Sequence, residues 1–438
     1  MRRPRLPDTR AWLDRWGPVL PLFVAEFIAW TGYGALLPVM PLYFRDHGVD
    51  IELLGIVIAA WPLATLVGQP AFGWLADRTS RTRIMVAGLI VTAVALALPL
   101  VLTSAPAFIA LRALAGFGTS AYDPAARGYL TDATPPERRG EAFGLYGAGQ
   151  MAGLLLGPAI GGLGAAATGS ISFVFVLGAL TTLGAAIAVA LRVHEREGGH
   201  SHVGPSIDFT EFPAEAPWRY ERAAAGTEAP GASPSQPRRL VNRLLVASLV
   251  LNLGSYLAGG TYEVIWSLFL ERRGASLEFI GLTFALFGLP VLLLSPYAGK
   301  LVDRRAGISL IVAGSLAMAI ASVSYPFVPD LVWVLPLLVL EASGFALLNP
   351  ALYALVAAGS PSGRSSTAQG LFGAAGTMGT IVASVLAGYL AASDIRLPFF
   401  ASAIAMMVCL AFGLTVGGRA IRRLADRPAP ALEPAPAP

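Results

Sequence analysis

The chain says nearly the same thing twice. Gly73-Trp74-Leu75-Ala76-Asp77-Arg78 returns as Gly299-Lys300-Leu301-Val302-Asp303-Arg304, an offset of 226 residues. The same offset pairs Gly34 with Gly260, Gly48 with Gly274, Gly55 with Gly281 and Pro70 with Pro296. It also pairs Gly118 with Gly344, Pro124 with Pro350, Gly144 with Gly370 and Gly162 with Gly388, and no gap is needed anywhere in that span. Loops drift in length, so an offset kept through many turns implies two halves of one architecture. In an apolar chain such a repeat points to a transporter with a site between the halves.

Of the 438 residues, 55% are hydrophobic and only 13% charged, too few charges to cover a water-facing surface. A hydrocarbon core about 30 Å thick takes about 20 helical residues to cross. By that measure the first half holds six spans, near 18–44, 52–76, 84–103, 106–130, 141–166 and 170–192. The second half holds six more, near 244–270, 276–300, 308–327, 331–358, 366–391 and 396–417. The runs are continuously apolar, not alternating, so helices are expected in place of a barrel. The expected fold class is an all-α membrane protein with 12 transmembrane helices. A six-helix bundle is expected over 10–192 and a second over 241–420, joined by a polar linker at 193–240 and followed by a low-complexity tail at 428–438.

Net charge is +4, and its placement says more than its size. Of the 31 Lys and Arg residues, 26 fall on one set of alternate loops and termini, four on the other, and Arg112 lies inside a span. The positive-inside rule then puts both termini in the cytoplasm of a multi-pass inner-membrane protein. Topology accounts for the basic excess, and no nucleic-acid partner is needed. The N-terminus is basic and then apolar, but the first span is too long for a cleaved signal and is expected to be retained.

Cys409 is the only cysteine, so neither an internal disulfide nor a thiol-based metal site can be assembled. His194, His200 and His202 share the linker and are read as solvated residues, not metal ligands. Gly147-Ala-Gly149-Gln-Met-Ala-Gly153 has the look of a dinucleotide loop, but no strand precedes it. With no Ser/His/Asp set and no phosphate loop either, neither an enzyme nor a cofactor is expected.

The loop Gly73-x-Leu75-Ala76-Asp77-Arg78-x-Ser80-Arg81 resembles the signature loop of the major facilitator superfamily, and it recurs in the second half. That resemblance implies two pseudo-symmetric six-helix bundles about one cavity, with alternating access. It also implies that Asp77 caps the start of span eleven near Ser366 and Thr367, and that Arg81 pairs with Asp132. Ser80 and Thr82 depart from the family pattern, and Gly307 stands where Arg81 would repeat, so the second latch (Gly299, Asp303, Arg304) is expected to be weaker.

Gly153, Gly157, Pro158, Gly161 and Gly162 resemble the antiporter motif of drug:proton exporters in the same superfamily; Ala383 and Ser384 replace the Gly-Pro pair in the second half. Arg112 resembles the superfamily's proton-coupling arginine, and Glu26 is its expected partner. A charge inside a span costs at least about 2.5–3.5 kcal/mol on insertion scales, so it should face a partner or a wet cavity.

Asp123, Glu263 and Glu341 are further acids inside spans, and none recurs as an acid at the repeat offset. Glu263 and Glu341 are candidates for holding a proton or meeting a cation. Asp123, ahead of Pro124, suits helix bending or gating equally well. Trp30, Tyr33, Trp61, Tyr122, Tyr146, Tyr256, Tyr262, Trp266 and Phe372 are expected to line the cavity, where ring faces suit lipophilic and cationic ligands.

The leading expectation is proton-coupled efflux of small lipophilic or cationic compounds by a monomer among membrane lipids. A sugar or metabolite transporter of the same fold, and a non-transporting membrane receptor, remain open as alternatives.

Overall fold

The computed structural model describes residues 16–17, 19–135, 138–193, 241–302, 307–360 and 365–425. The expected linker (but for Val193), its three histidines, Asp303, Arg304 and the tail lie outside them. The first half contains α1 (Leu20–Leu36), α2 (Met40–Asp46), α3 (Ile51–Arg78), α4 (Arg81–Ala97), α5 (Ala105–Ala133), α6 (Arg139–Thr168) and α7 (Ser172–Arg192). The second half contains α8 (Arg243–Arg272), α9 (Leu277–Leu301), α10 (Gly307–Ser324), α11 (Val334–Gly359), α12 (Ser365–Ser393) and α13 (Leu397–Ala425). Short 3-10 turns at Leu98–Leu100, Tyr325–Phe327 and Leu331–Trp333 adjoin α4, α10 and α11.

Helices α1 and α2 form one span bent by 47°. Pro38 lies in the break and Pro41 opens α2, so two backbone donors are missing where the bend occurs. Among the described residues ten other helices are long and apolar enough to cross a membrane, and the bent pair brings that number to 11. Helix α5 completes twelve; Arg112, Asp123 and Arg127 within it lower its hydropathy.

Local chemistry explains the helix ends. Asn242 Oδ1 accepts from the backbone N–H groups of Leu244 and Leu245 at 3.1 Å, capping α8. Ser80, Ser104 and Ser276 do the same for α4, α5 and α9. Gly48 and Gly274 take φ of 81° and 82° in the turns after the first and seventh spans. These two glycines are repeat mates, so the duplication kept a left-handed turn that side chains resist.

Packing follows the same rule. In the first half α3 packs on α5, α1 on α6 and α7, and α4 on α5 and α7. In the second, α9 packs on α11, α8 on α12 and α13, and α10 on α11 and α13. Each contact is the image of another under the 226-residue offset. Between the halves α3 packs on α12 and α6 on α9, which are again images of one another.

The contacts between halves gather at one end, opposite the arginine-rich loops. A Cβ built on Gly388 would sit 3.1 Å from the backbone nitrogen of Gly55. One built on Gly281 would sit 3.0 Å from Cα of Gly162. Beside these crossings Arg45 at the end of α2 pairs with Glu271 at the end of α8. Positions 45 and 271 are themselves repeat mates, so this ion pair straddles the pseudo-two-fold axis. At the basic end, side chains built on the mates Gly147 and Gly373, or Gly144 and Gly370, would meet nothing within 4 Å. Among the described residues the molecule is closed at the opposite end and open at the basic end.

Gly281→Leu would force a side chain into the α6 backbone and is expected to cost about 1–3 kcal/mol. Gly299→Leu, at the open end of the same helix, should cost almost nothing, since among the described residues no atom lies within 4 Å of its Cβ position. Thermal unfolding in detergent checks this; equal losses for the two variants would contradict the closure.

Candidate functional site: a cavity with two levels of buried charge

A cavity in the first half is lined by Trp30 and Tyr33 of α1, Trp61 of α3, Thr92 of α4 and Arg112, Thr119, Tyr122 and Asp123 of α5. Its enclosed volume is about 50 Å³, room for water but not for an organic substrate. Rings give it walls. Tyr33 stacks on Trp61 at 5.3 Å between centroids, and Trp30 meets Tyr33 edge-on at 5.3 Å. The Arg112 guanidinium lies 5.8 Å from the Trp61 ring centroid.

The charges sit at two depths. Nearer the closed end, Arg112 Nη2 lies 3.4 Å from Glu263 Oε1, an ion pair from α5 to α8 that links the two halves. The Tyr33 hydroxyl is 3.4 Å from the same carboxylate oxygen, and Arg112 also donates to the Ile58 carbonyl. Only 6% of the Arg112 side chain and 15% of the Glu263 side chain are exposed.

Nearer the open end, Glu26 is 0% exposed and accepts a hydrogen bond of 2.8 Å from the Tyr122 hydroxyl. Tyr146 of α6 is buried beside it. The Asp123 carboxyl is near enough for the two charges to interact, and Arg127 follows Asp123 one turn along α5.

The expected Glu26–Arg112 pair is therefore not formed. The reason is depth. Helices α1 and α5 run antiparallel, and a helix rises about 1.5 Å per residue. Arg112 is seven residues from the closed-end start of α5, about 10 Å in, whereas Glu26 is six residues from the open-end start of α1. Glu263, nine residues from the closed-end terminus of α8, lies at the depth of Arg112. Counting depth from each span end identifies that partner; looking for the nearest cavity helix does not.

The other expected site residues divide clearly. Arg81 Nη1 lies 2.5 Å from Asp132 Oδ2, and Arg81 also bonds Asp77 at 3.1 Å. Asp77 does not cap the start of α12. Its side chain is 60% exposed and Thr367 is exposed as well, because the two halves stand apart at this end. Gly73 and Gly299 flank that open end, and Arg78 folds back over the Trp74 ring at 3.9 Å.

Gly153, Gly157 and Gly161 of α6 seat against the backbone of α1, at the carbonyl of Phe27, the amide of Ala35 and Cα of Ala35 respectively. Gly162 faces the other way, onto Gly281 of α9, and Pro158 is accommodated within the unbroken helix. The glycine stripe thus holds α6 between a cavity helix and the second half, through contacts that side chains would block.

Tyr146, Tyr256, Tyr262, Trp266, Glu341 and Phe372, all expected on the cavity, lie outside its lining. Trp266 is 3% exposed and donates its ring N–H to Thr283 at 2.9 Å. It packs with Tyr262, Tyr325 and Phe399 in an aromatic core of the second half. Phe372 is buried against Tyr353, and Tyr256 packs over Gly376 and Gly379 of α12. Glu341 is 2% exposed in that interior and accepts from the Tyr325 hydroxyl at 2.8 Å. Among the described residues no cluster of His, Cys, Asp and Glu has the geometry to hold a metal ion.

The family model of the Major Facilitator Superfamily matches residues 22–225 and 244–436. The quinolone resistance protein NorA of Staphylococcus aureus is 30% identical over 174 residues, 40% of this chain and 44% of that relative, so the match spans less than half of NorA. An uncharacterized MFS-type transporter of Methanocaldococcus jannaschii is 23% identical over 376 residues, 85% of this chain and 91% of the relative. A bacterial homolog to the human lysosomal transporter Spinster, in an inward-facing and occupied conformation, superposes with a TM-score of 0.73 at 14% identity, over 96% of this chain and 99% of that one. A mutant of the nucleoside transporter NupG gives 0.69 at 13% identity over 91% and 99%. At those identities the two structures speak to the fold alone. The repeat, the twelve long helices and a family match over both halves lead to one conclusion: the chain belongs to the Major Facilitator Superfamily.

Proposed function

We propose that this protein is a secondary active transporter that exports small lipophilic or cationic compounds in exchange for protons. The observation that carries this reading is the placement of acids at two levels around one aromatic-walled cavity, Asp123 in its lining and Glu26 and Glu263 bonded to lining residues. Glu26 and Asp123 lie toward the open end, and Glu263, paired with Arg112, lies toward the closed end. An ionised carboxylate in the interior costs several kcal/mol unless a proton or a cation compensates it. Glu26 has a tyrosine hydroxyl as its direct partner and, among the described residues, no cation within ion-pair distance, so binding of a proton or a cationic cargo relieves the same cost. Competition for that carboxylate couples the two fluxes.

The arginine asymmetry favours a cytoplasmic placement of the open end, with both termini on that side of an inner membrane. In that orientation the open end faces the cytoplasm, and the cavity, which holds water but not an organic molecule as it stands, must widen to admit cargo from that side. Opening of the other end requires the crossings at Gly55–Gly388 and Gly162–Gly281, the Arg45–Glu271 pair and the Arg112–Glu263 pair to separate. The partial likeness to a quinolone resistance protein supports a lipophilic cargo. A monomer suffices for this cycle, because the cavity and the Arg112–Glu263 pair that joins the two halves come from one chain.

Glu26→Gln keeps the Tyr122 partner but removes the titratable charge. It is expected to abolish counterflow of a cationic dye driven by a pH gradient in liposomes, with an unchanged thermal midpoint. Wild-type rates in that variant would remove Glu26 from the mechanism.

Arg112→Met strands Glu263 in the interior and is expected to destabilise the protein by on the order of 3 kcal/mol. Arg112→Met with Glu263→Gln should recover most of that loss, because no uncompensated charge remains. Denaturation of the single and double variants decides; a double variant no more stable than Arg112→Met would contradict the pairing.

A further inference from the structure

On the outer face of the second half, at the basic end, a groove of about 740 Å³ opens between α10 and α13. Val312, Leu316 and Leu414 form its apolar walls; Ser309, Gly418 and Arg419 lie at its polar mouth. A side chain built on Gly418 would meet nothing within 4 Å. The volume lies within the range of about 300–1,000 Å³ usual for ligand pockets.

The repeat shows that this opening is not a necessity of the fold. The equivalent crevice in the first half lies between α4 and α7. There the positions matching Thr415 and Arg419 are Val189 and Val193, 0% and 2% exposed. They share a core cluster with Trp16, itself 2% exposed, whose repeat mate is the smaller and polar Asn242. Arg192 stands in the place of Gly418. One half fills the crevice with apolar side chains; the other leaves it open and places an arginine at its mouth.

We propose that this groove is a binding site for an anionic phospholipid, with an acyl chain between α10 and α13 and the phosphate on the Arg419 guanidinium. Depth supports it. Arg419 is 22 residues from Leu397, the opposite end of α13. That is about 33 Å of helix, just beyond a hydrocarbon core of about 30 Å. The guanidinium therefore stands at headgroup level while Leu316 and Leu414 stand at acyl level. Charge supports it as well. Among the described residues no carboxylate lies within ion-pair distance of Arg419. Basic pockets between membrane helices favour lipids of net negative charge, because a zwitterionic headgroup brings its own cation to the phosphate. The site is separate from the transport cavity, so it stands whether or not the proposed cargo is correct.

The full chain, purified in detergent, is titrated with phosphatidylglycerol, with phosphatidylethanolamine of the same acyl chains, and with soluble glycerol phosphate. Retained lipid is read by native mass spectrometry and stability by thermal unfolding. Phosphatidylglycerol should be retained and raise the thermal midpoint, while the other two should do neither. Arg419→Gln should lower its retention about fivefold, the loss of one arginine–phosphate attraction. Gly418→Leu should block the groove and remove the shift while leaving the lipid-free midpoint unchanged. If Gly418→Leu fails to fold, Arg419→Gln decides alone. Retention unaffected by Arg419→Gln, equal retention of the two lipids, or displacement of phosphatidylglycerol by glycerol phosphate would overturn the proposal.

Discussion

The structure depends on two places where helix backbones of opposite halves touch almost directly. Gly55 of α3 meets Gly388 of α12, and Gly162 of α6 meets Gly281 of α9. Close approach of this kind needs residues without side chains, as membrane helices use elsewhere. Because the crossings are images of one another, they act as a matched pair on either side of the Arg45–Glu271 contact on the axis. Everything at the other end follows: with the halves pinned here, they splay apart toward the arginine-rich loops, and the Asp77–Arg81–Asp132 cluster stays within the first half.

Against that symmetric frame the chemistry is one-sided. The mate of Glu26 is Asn252, which donates its side-chain N–H to the Phe372 carbonyl at 2.8 Å. Phe372 is the mate of Tyr146, and Leu338 the mate of Arg112. The second half therefore closes with neutral bonds where the first half carries charge. It contributes Glu263 to the shared ion pair and buries Glu341 under its own aromatic core. Duplication supplied the backbone crossings; divergence supplied the electrostatics.

The architecture was legible because it rests on features that a linear text preserves. An unbroken offset, apolar runs of span length and alternating arginine loops report fold and topology without any knowledge of contacts. Residues such as Gly48 and Gly274 could be paired before their shared backbone geometry was seen. Partnerships were less legible. Glu26 and Arg112 lie on adjacent cavity helices, yet they are separated along the membrane normal, and only a count of helical rise separates them. Trp266 and Tyr262 share α8 with Glu263 but are turned about 60–100° from it around the helix, and an almost uniformly apolar helix offers no polar stripe to mark which direction meets the cavity. Asp77 bonds Arg81 and stays exposed because the halves stand apart at that end, a spacing that the loop motif does not report.

The central claim is that the two halves rock about the crossings, so that one end opens as the other closes. Spin labels on two repeat-mate pairs test it in one protein: Gly144 with Gly370 at the open end, and Glu52 with Glu278 at the closed end. Electron–electron distances in lipid nanodiscs, measured as pH is lowered and as a cationic dye is added, should change reciprocally, the first shortening as the second lengthens. Distances that stay fixed, or that change at one end alone, would contradict the account.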